Sequence, residues 1–406
     1  MASLDTQEIR SRFPSLQRTD NGHPIVYLDG PGGTQVPREV IDAISSYYSR
    51  SNANTHGMFV TTRETDEVMY DARVAMATLL GAADEATISF GQNMTTLNFA
   101  LSRAIARVLQ PGEEILITQL DHEANRGPWL ALREFGIIVR EVLLKPDGTL
   151  DYEDFGRKVN EKTRLVAMGM SSNAIGTVND VAFARKLSYR YGAWLLLDAV
   201  HYAPHFSIDV EAMGCDFLLC SAYKFYGPHV GILYSKPGLL DRLPTDRLRT
   251  TDQRAPYSIE TGTLNHAAIA GVLASVKFIA SLGTGPSLRD KLVSAYAAIA
   301  DHEHKVASRL FTGIQRMGQA TLQGQDFVSP NRTPTISFLW QNKTANEVCH
   351  HLARKNICAW DGHFYAIRAI EILGALEKGG VTRLGISLYN TAEEVDQVLS
   401  HLSELK

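Results

Sequence analysis

Cys220-Ser221-Ala222-Tyr223-Lys224-Phe225-Tyr226-Gly227-Pro228 is the stretch on which the reading of this chain turns. The apolar run Phe217 to Cys220 leads into it, and a second run, Val230 to Tyr234, follows the Gly-Pro turn. Both runs read as buried strands, so Lys224 sits where the backbone changes direction and its amine is held rather than solvated. An amine kept there suits condensation with an aldehyde. Twenty-six residues earlier the run Trp194 to Leu197 ends in Asp198, and earlier still Leu165 to Met170 ends in Ser171-Ser172-Asn173. Three strand-like runs thus end in an amide, a carboxylate and a lysine, the working set of an enzyme that uses pyridoxal 5'-phosphate (PLP).

From Val26 to Tyr234 short, continuous apolar runs (Ile88 to Phe90, Ile115 to Thr118 and those above) alternate with segments of helical period (Thr95 to Leu109, Pro128 to Phe135, Val181 to Tyr191). That pattern predicts an α/β fold with a mostly parallel sheet covered on both faces. Such sheets bind ligands beyond the carboxyl ends of their strands, where Asn93, His122, Asn173, Asp198 and Lys224 fall. Leu264 to Met317 reads as helix with one Gly/Pro interruption near Gly283 to Pro286. The runs Thr335 to Trp340 and Val381 to Leu388, with a helix from Ala392 to Leu405, predict a small α+β domain. At 406 residues the chain exceeds one compact core. The expected division is a large domain over residues 20–280 and a small C-terminal domain over 281–406, with residues 1–19 packed against the latter.

A net charge of −4 without a basic tract argues against a nucleic-acid partner. No apolar stretch approaches the roughly 20 residues of a membrane span, and Met1 to Glu8 has no basic region followed by an apolar one. The four cysteines, Cys215, Cys220, Cys349 and Cys358, have neither metal-site spacing nor the density of a disulfide framework. A reducing cytoplasm and no metal are the expectations.

Phe90-Gly91-Gln92-Asn93-Met94-Thr95-Thr96 is a strand end opening a helix, where Asn93 or Thr95 either caps the helix or binds phosphate. Asp198 is either a strand-end carboxylate or the partner of a protonated pyridine nitrogen. His201 either hydrogen-bonds near the ring oxygen or is a satisfied polar residue. His122 follows the strand Ile115 to Thr118, and there it is structural or else stacks on a planar cofactor and shuttles protons. Arg383, in an otherwise apolar segment, is either paired structurally or aimed into the site to hold a substrate carboxylate with its planar fork, and the absence of a carboxylate near it in sequence favours the second.

Eight stretches occur in an order that resembles the class V aminotransferase family of fold-type I PLP enzymes, in its cysteine desulfurase/selenocysteine lyase branch. They are Tyr27-Leu28-Asp29, Asn52 to His56, Asp121 to Asn125 with Pro128-Trp129, Ser172 to Thr177, Asp198-Ala199, Ser221 to Pro228, Glu260 to Asn265, and Arg383 through Thr391. The resemblance implies that Lys224 carries the Schiff base, Asp198 pairs with the pyridine nitrogen, His122 stacks on the ring and Asn173 lies near its phenolic oxygen. It implies that Met94, Thr95 and Ser221 bind the phosphate, and that Thr263 reaches the phosphate of a neighbouring subunit, hence a homodimer. Arg383 matches the arginine that holds the α-carboxylate of an amino-acid substrate, and His56 and Asn173 are expected to bind the substrate with it.

Three positions depart from that branch. His201 stands where desulfurases usually have glutamine and Tyr223 where they usually have a phosphate-binding histidine, and both substitutes still hydrogen-bond. In the loop that normally supplies the persulfide-forming cysteine, Trp360-Asp361-Gly362-His363-Phe364-Tyr365-Ala366, Tyr365 occupies the nucleophile's place. A phenol with pKa near 10 does not replace a thiolate. Tyr365 then orients a leaving group, donates a proton, or only packs the loop. Cys358, seven residues upstream, reads as a strand residue. The expected reaction is C–S cleavage by β-elimination without an enzyme persulfide. Transamination, epimerisation and PLP-dependent C–C chemistry are the alternatives.

Overall fold

The computed structural model describes residues 4–328 and 332–405, so Met1 to Ser3 of the N-terminal stretch and Lys406 at the C-terminus lie outside the described residues. Seven strands form the larger sheet: β1 (Ile88–Gly91), β2 (Glu114–Thr118), β3 (Ile138–Val142), β4 (Thr163–Gly169), β5 (Trp194–Asp198), β6 (Phe217–Ser221) and β7 (Gly231–Ser235). Their spatial order is β1-β7-β6-β5-β4-β2-β3, and only β7 runs against its neighbours. Alternate residues of the central strands feed two separate cores. Val166, Met168, Leu195, Leu197, Leu218 and Cys220 pack on one side. Leu165, Ala167, Leu196, Phe217 and Leu219 pack on the other. This two-residue period with both faces apolar is why the strands read as continuous hydrophobic runs.

Helix α1 (Met94–Ala106) starts directly after β1, with Asn93 and Thr96 closing a reciprocal capping box. Gly231 of β7 makes this possible, because a Cβ there would collide with the backbone of Asn93. The predicted long helix is α2 (His266–Ser281) and α3 (Leu288–Arg316), broken at the expected Gly/Pro segment. The stretch 128–135 divides into an α-turn, Gly127–Leu130, and a 3-10 turn, Ala131–Phe135, which Gly136 ends with φ +77°.

Four antiparallel strands form the smaller sheet: β8 (Ala320–Gln323), β9 (Thr335–Trp340), β10 (Trp360–Gly362) and β11 (Val381–Gly385), in the order β8-β9-β11-β10. The run predicted to reach Leu388 stops at Gly385, where any side chain would strike the Pro31 ring. One apolar cluster joins this sheet to α3 and to the last helix, α4 (Ala392–Ser403). Val26–Tyr27, inside the expected large domain, instead pairs with Ile357–Cys358, and Val26 and Leu28 lie in that same cluster. At the N-terminus, Phe13 packs edge-on against Tyr226, Phe278 and Tyr389, and Arg10 pairs with Glu394 at 2.8 Å.

Candidate active site

The carboxyl ends of β1, β2, β4, β5 and β6 converge on one cleft, of about 590 Å³ counting its open mouth. Ten of the residues singled out above line it: Asn93, Met94, Thr95, His122, Asn173, Asp198, His201, Ser221, Tyr223 and Lys224. The strand ends bring them together because consecutive parallel strands all terminate at the same edge.

Lys224 ends the 3-10 turn Ala222–Lys224 that leaves β6. Its Nζ is buried and donates to the carbonyls of Pro31 and Gly32, the latter at 3.1 Å. Burial, followed by the nearby Arg383 cation, brings its pKa down to about 7, against the pull of Asp198 and Asp29. The amine is therefore largely uncharged above neutrality. Asp198 accepts a 2.9 Å bond from the Val200 N–H on Oδ1. Burial raises its carboxyl to about 7, with repulsion from Asp121 adding and Lys224 opposing. Asp121, itself raised to about 6 by burial, is fixed by the Gly169 N–H at 2.9 Å and the Asn125 amide at 3.1 Å.

His122 accepts the Ala124 N–H on Nδ1 at 2.9 Å. Burial, then Lys224 and Arg383, lowers its pKa to about 4, so the ring is neutral with its proton on Nε2. His201 shares Nε2 with the hydroxyls of Thr335 (2.9 Å) and Thr333 (3.2 Å). Its Nδ1 is buried and has no partner among the described residues, and burial holds its pKa well below the usual histidine range. The Tyr223 ring stacks on His229 at 4.7 Å, with Lys224 Nζ 5.1 Å from its centroid. Ser221 Oγ accepts the Met94 N–H at 3.0 Å, at the first turn of α1. Asn93 is an N-cap, accepting the Thr96 N–H at 2.9 Å.

Arg383 on β11 and Tyr365 are not in the lining of this cleft, but each contacts a residue that is, Asn173 and His122 respectively. Arg383 is buried, donates from Nη1 to the Asn173 carbonyl at 2.9 Å, and has no ion pair among the described residues. The Tyr365 ring lies 5.5 Å from that of His122 and is 68% exposed. His56 and Thr263 are elsewhere: both line a second, outer groove that shares no residue with the lysine cleft. Sequence reasoning gave no role to three further elements. These are the Pro31 and Gly32 carbonyls on Lys224, the Asp121 carboxyl near Asp198, and Phe364, whose ring covers Arg383. The glycine-rich run Asp29-Gly30-Pro31-Gly32-Gly33 was the available signal for the first.

The Aminotransferase class-V family model matches residues 26–398. The chain belongs to the class V aminotransferase family. Cysteine desulfurases of Shigella flexneri and Salmonella agona are 30% and 31% identical to it, over 99% of this chain and 98% of theirs. In fold, the apo cysteine desulfurase of Thermococcus onnurineus NA1 is similar with TM-score 0.89 at 23% identity, covering 100% of this chain and 98% of that one. An Escherichia coli cysteine desulfurase (S-sulfonic acid) gives 0.86 at 24%, covering 99% and 98%. The fold is thus that of the fold-type I PLP enzymes, and the chain is an enzyme of a PLP-dependent family in its cysteine desulfurase-like branch. Its residues fit that cofactor. Lys224 is a buried amine whose pKa is lowered to about 7, and Ser171 Oγ and His201 Nδ1, without partners among the described residues, line the cleft and call for a polar ligand. The start of a 13-residue helix at Met94 suits a phosphate.

Proposed function

We propose that this enzyme binds PLP through Lys224 and cleaves the Cβ–S bond of a small α-amino acid by β-elimination, without carrying the sulfur on a cysteine. The observation that carries this reading is that Tyr365, not a thiol, stands beside His122, a residue that lines the lysine cleft. The chain's own thiols are poor candidates: burial raises Cys358 to about 11, Cys215 and Cys349 to about 12, and Cys220 further. Cys358 is also tied into the ladder with Tyr27.

When bound, PLP supplies an aldehyde and a ring that accepts the electrons of a bond broken at Cα. The chain supplies the rest. Met94, Thr95 and Ser221, at the start of α1, hold the phosphate. Asp198, with Oδ1 occupied by Val200, keeps Oδ2 for the pyridine nitrogen, and Asn173 and His201 face the ring oxygen. Lys224 Nζ takes the Cα proton, and Tyr223 packs beside it. His122, with its proton on Nε2, and Tyr365, with its hydroxyl, are donors for the departing sulfur. Arg383 holds the α-carboxylate.

His56 and Thr263 act across a homodimer interface in this reading. In support, Met58, Phe59 and Val60, which follow His56 in the chain, are exposed by 90%, 59% and 58%. We also infer two domains divided near residue 280, one around each sheet. No helix among the described residues is long and apolar enough to cross a membrane. The free cysteines are consistent with a reducing, cytoplasmic location. A product screen on purified enzyme tests the chemistry. With L-cysteine, equal yields of sulfide and pyruvate are expected, whereas alanine as the main carbon product contradicts β-elimination.

A further inference from the structure

Arg383 is held in an unusual way. A guanidinium presents five N–H donors in one plane, yet among the described residues only Nη1 has an acceptor, the Asn173 carbonyl. No carboxylate among them comes within ion-pairing distance. What restrains the side chain is the ring of Phe364, whose centroid lies 3.9 Å from Cζ. Phe364 is itself fixed. Its carbonyl accepts the Asn173 side-chain amide at 2.8 Å, and the carbonyl of Tyr365 accepts the Glu123 N–H at 2.7 Å. Both residues have positive φ, 51° and 59°, a conformation uncommon for aromatic side chains, so the loop spends backbone strain to put the ring there.

An aromatic face differs from the usual arginine partner. A carboxylate in this place would consume the charge and the donors that a substrate needs. A ring fixes the plane by cation–π contact and leaves both available. We propose that Phe364 is a positioning residue, holding the Arg383 guanidinium so that its unbonded edge receives the substrate α-carboxylate. This rests on the reading of Arg383 as the carboxylate holder.

The test compares L-alanine with L-alaninamide, which lacks the carboxylate, as ligands of the cofactor-loaded protein, each titrated by its change in visible absorption. Neither has a leaving group for elimination. Native protein should favour L-alanine by roughly 10-fold or more. Phe364→Asn, a residue that accepts positive φ, should lose most of that preference, and Phe364→Tyr should keep it within about 3-fold. A purely structural role would weaken both ligands alike and leave their ratio unchanged, so an unchanged ratio in Phe364→Asn overturns the proposal. So does a Phe364→Tyr protein that loses the preference as fully. Arg383→Ala separates the two readings. If it retains the preference, or native protein has none, Arg383 is not the holder and both ideas fall. If it loses the preference while Phe364→Asn keeps it, only the role of Phe364 falls.

Discussion

Two segments lie against the same cleft and are held in opposite ways. The lysine turn is tied into the sheet and the core by backbone bonds, with the Thr34 and Ser275 hydroxyls bonding Tyr223, Phe225 and Tyr226 and with Tyr226 at φ 68°. Ala222 N–H bonds to Val230 at 2.9 Å, Gly227 N–H returns to Ala222 at 2.9 Å, and Phe225 and Tyr226 behind Lys224 are fully buried. The segment Gly362 to Ala366 has a largely exposed Tyr365, three residues of positive φ, and side-chain tethers from Asn173, Arg383 and His122. The first is fixed by the sheet and cannot change without changing the fold. The second is fixed by a few replaceable contacts. Chemistry shared across a fold belongs to the first kind of segment, and chemistry that separates one reaction from another belongs to the second.

The sharpest break on the rigid side is Lys224→Ala. Turnover should fall by at least ~10³-fold. Borohydride should fix the cofactor to Lys224 in native protein, and an unmodified Lys224 peptide after reduction would contradict the assignment. On the tethered side, Arg383→Ala should lower kcat/KM by ~2–5 kcal/mol of transition-state binding. Arg383→Lys should recover little, since an ammonium reproduces neither the planar fork nor the ring contact. Near-native kinetics in both would anchor the substrate elsewhere.

A smaller effect follows from the lysine's pKa, about 7 rather than the usual 10.5. Only the unprotonated amine attacks an aldehyde, and that form dominates above the pKa. The rate of cofactor uptake by cofactor-free protein should therefore rise through pH 7 and level off above it, falling ~10-fold per unit below. A rise centred near 10 would mean a solvated amine. The smallest effect belongs to the outer groove. Thr263→Val should weaken cofactor retention by one hydrogen bond, ~0.5–1.5 kcal/mol, and only in the dimer. A monomer in sedimentation that keeps full cofactor occupancy contradicts the shared site.

The same contrast explains what was legible in the sequence. Strand ends are marked by apolar runs, so Asn93, His122, Asn173, Asp198 and Lys224 could be placed at one sheet edge from the strand pattern, whereas Ser221 came from the family resemblance. Loop geometry carries no such mark. Nothing in Trp360 to Ala366 announces that Phe364 lies over Arg383, because that contact joins residues 19 apart through positive φ at an aromatic position. Buried couplings were equally silent: Asp121 beside Asp198 and the Pro31 carbonyl on Lys224 exist only after the sheet brings distant segments together. Cys358 reads as a strand residue, but the pairing of Ile357–Cys358 with Val26–Tyr27 escaped for the same reason, both strands being too short to show a period.

The claim that Tyr365 replaces a sulfur-carrying cysteine is tested most directly by incubating the cofactor-loaded enzyme with L-cysteine and mapping persulfides by peptide mass spectrometry. Free sulfide in solution with no protein-bound persulfide is the predicted result. A stoichiometric persulfide on Cys358, able to pass its sulfur to an acceptor, would contradict it.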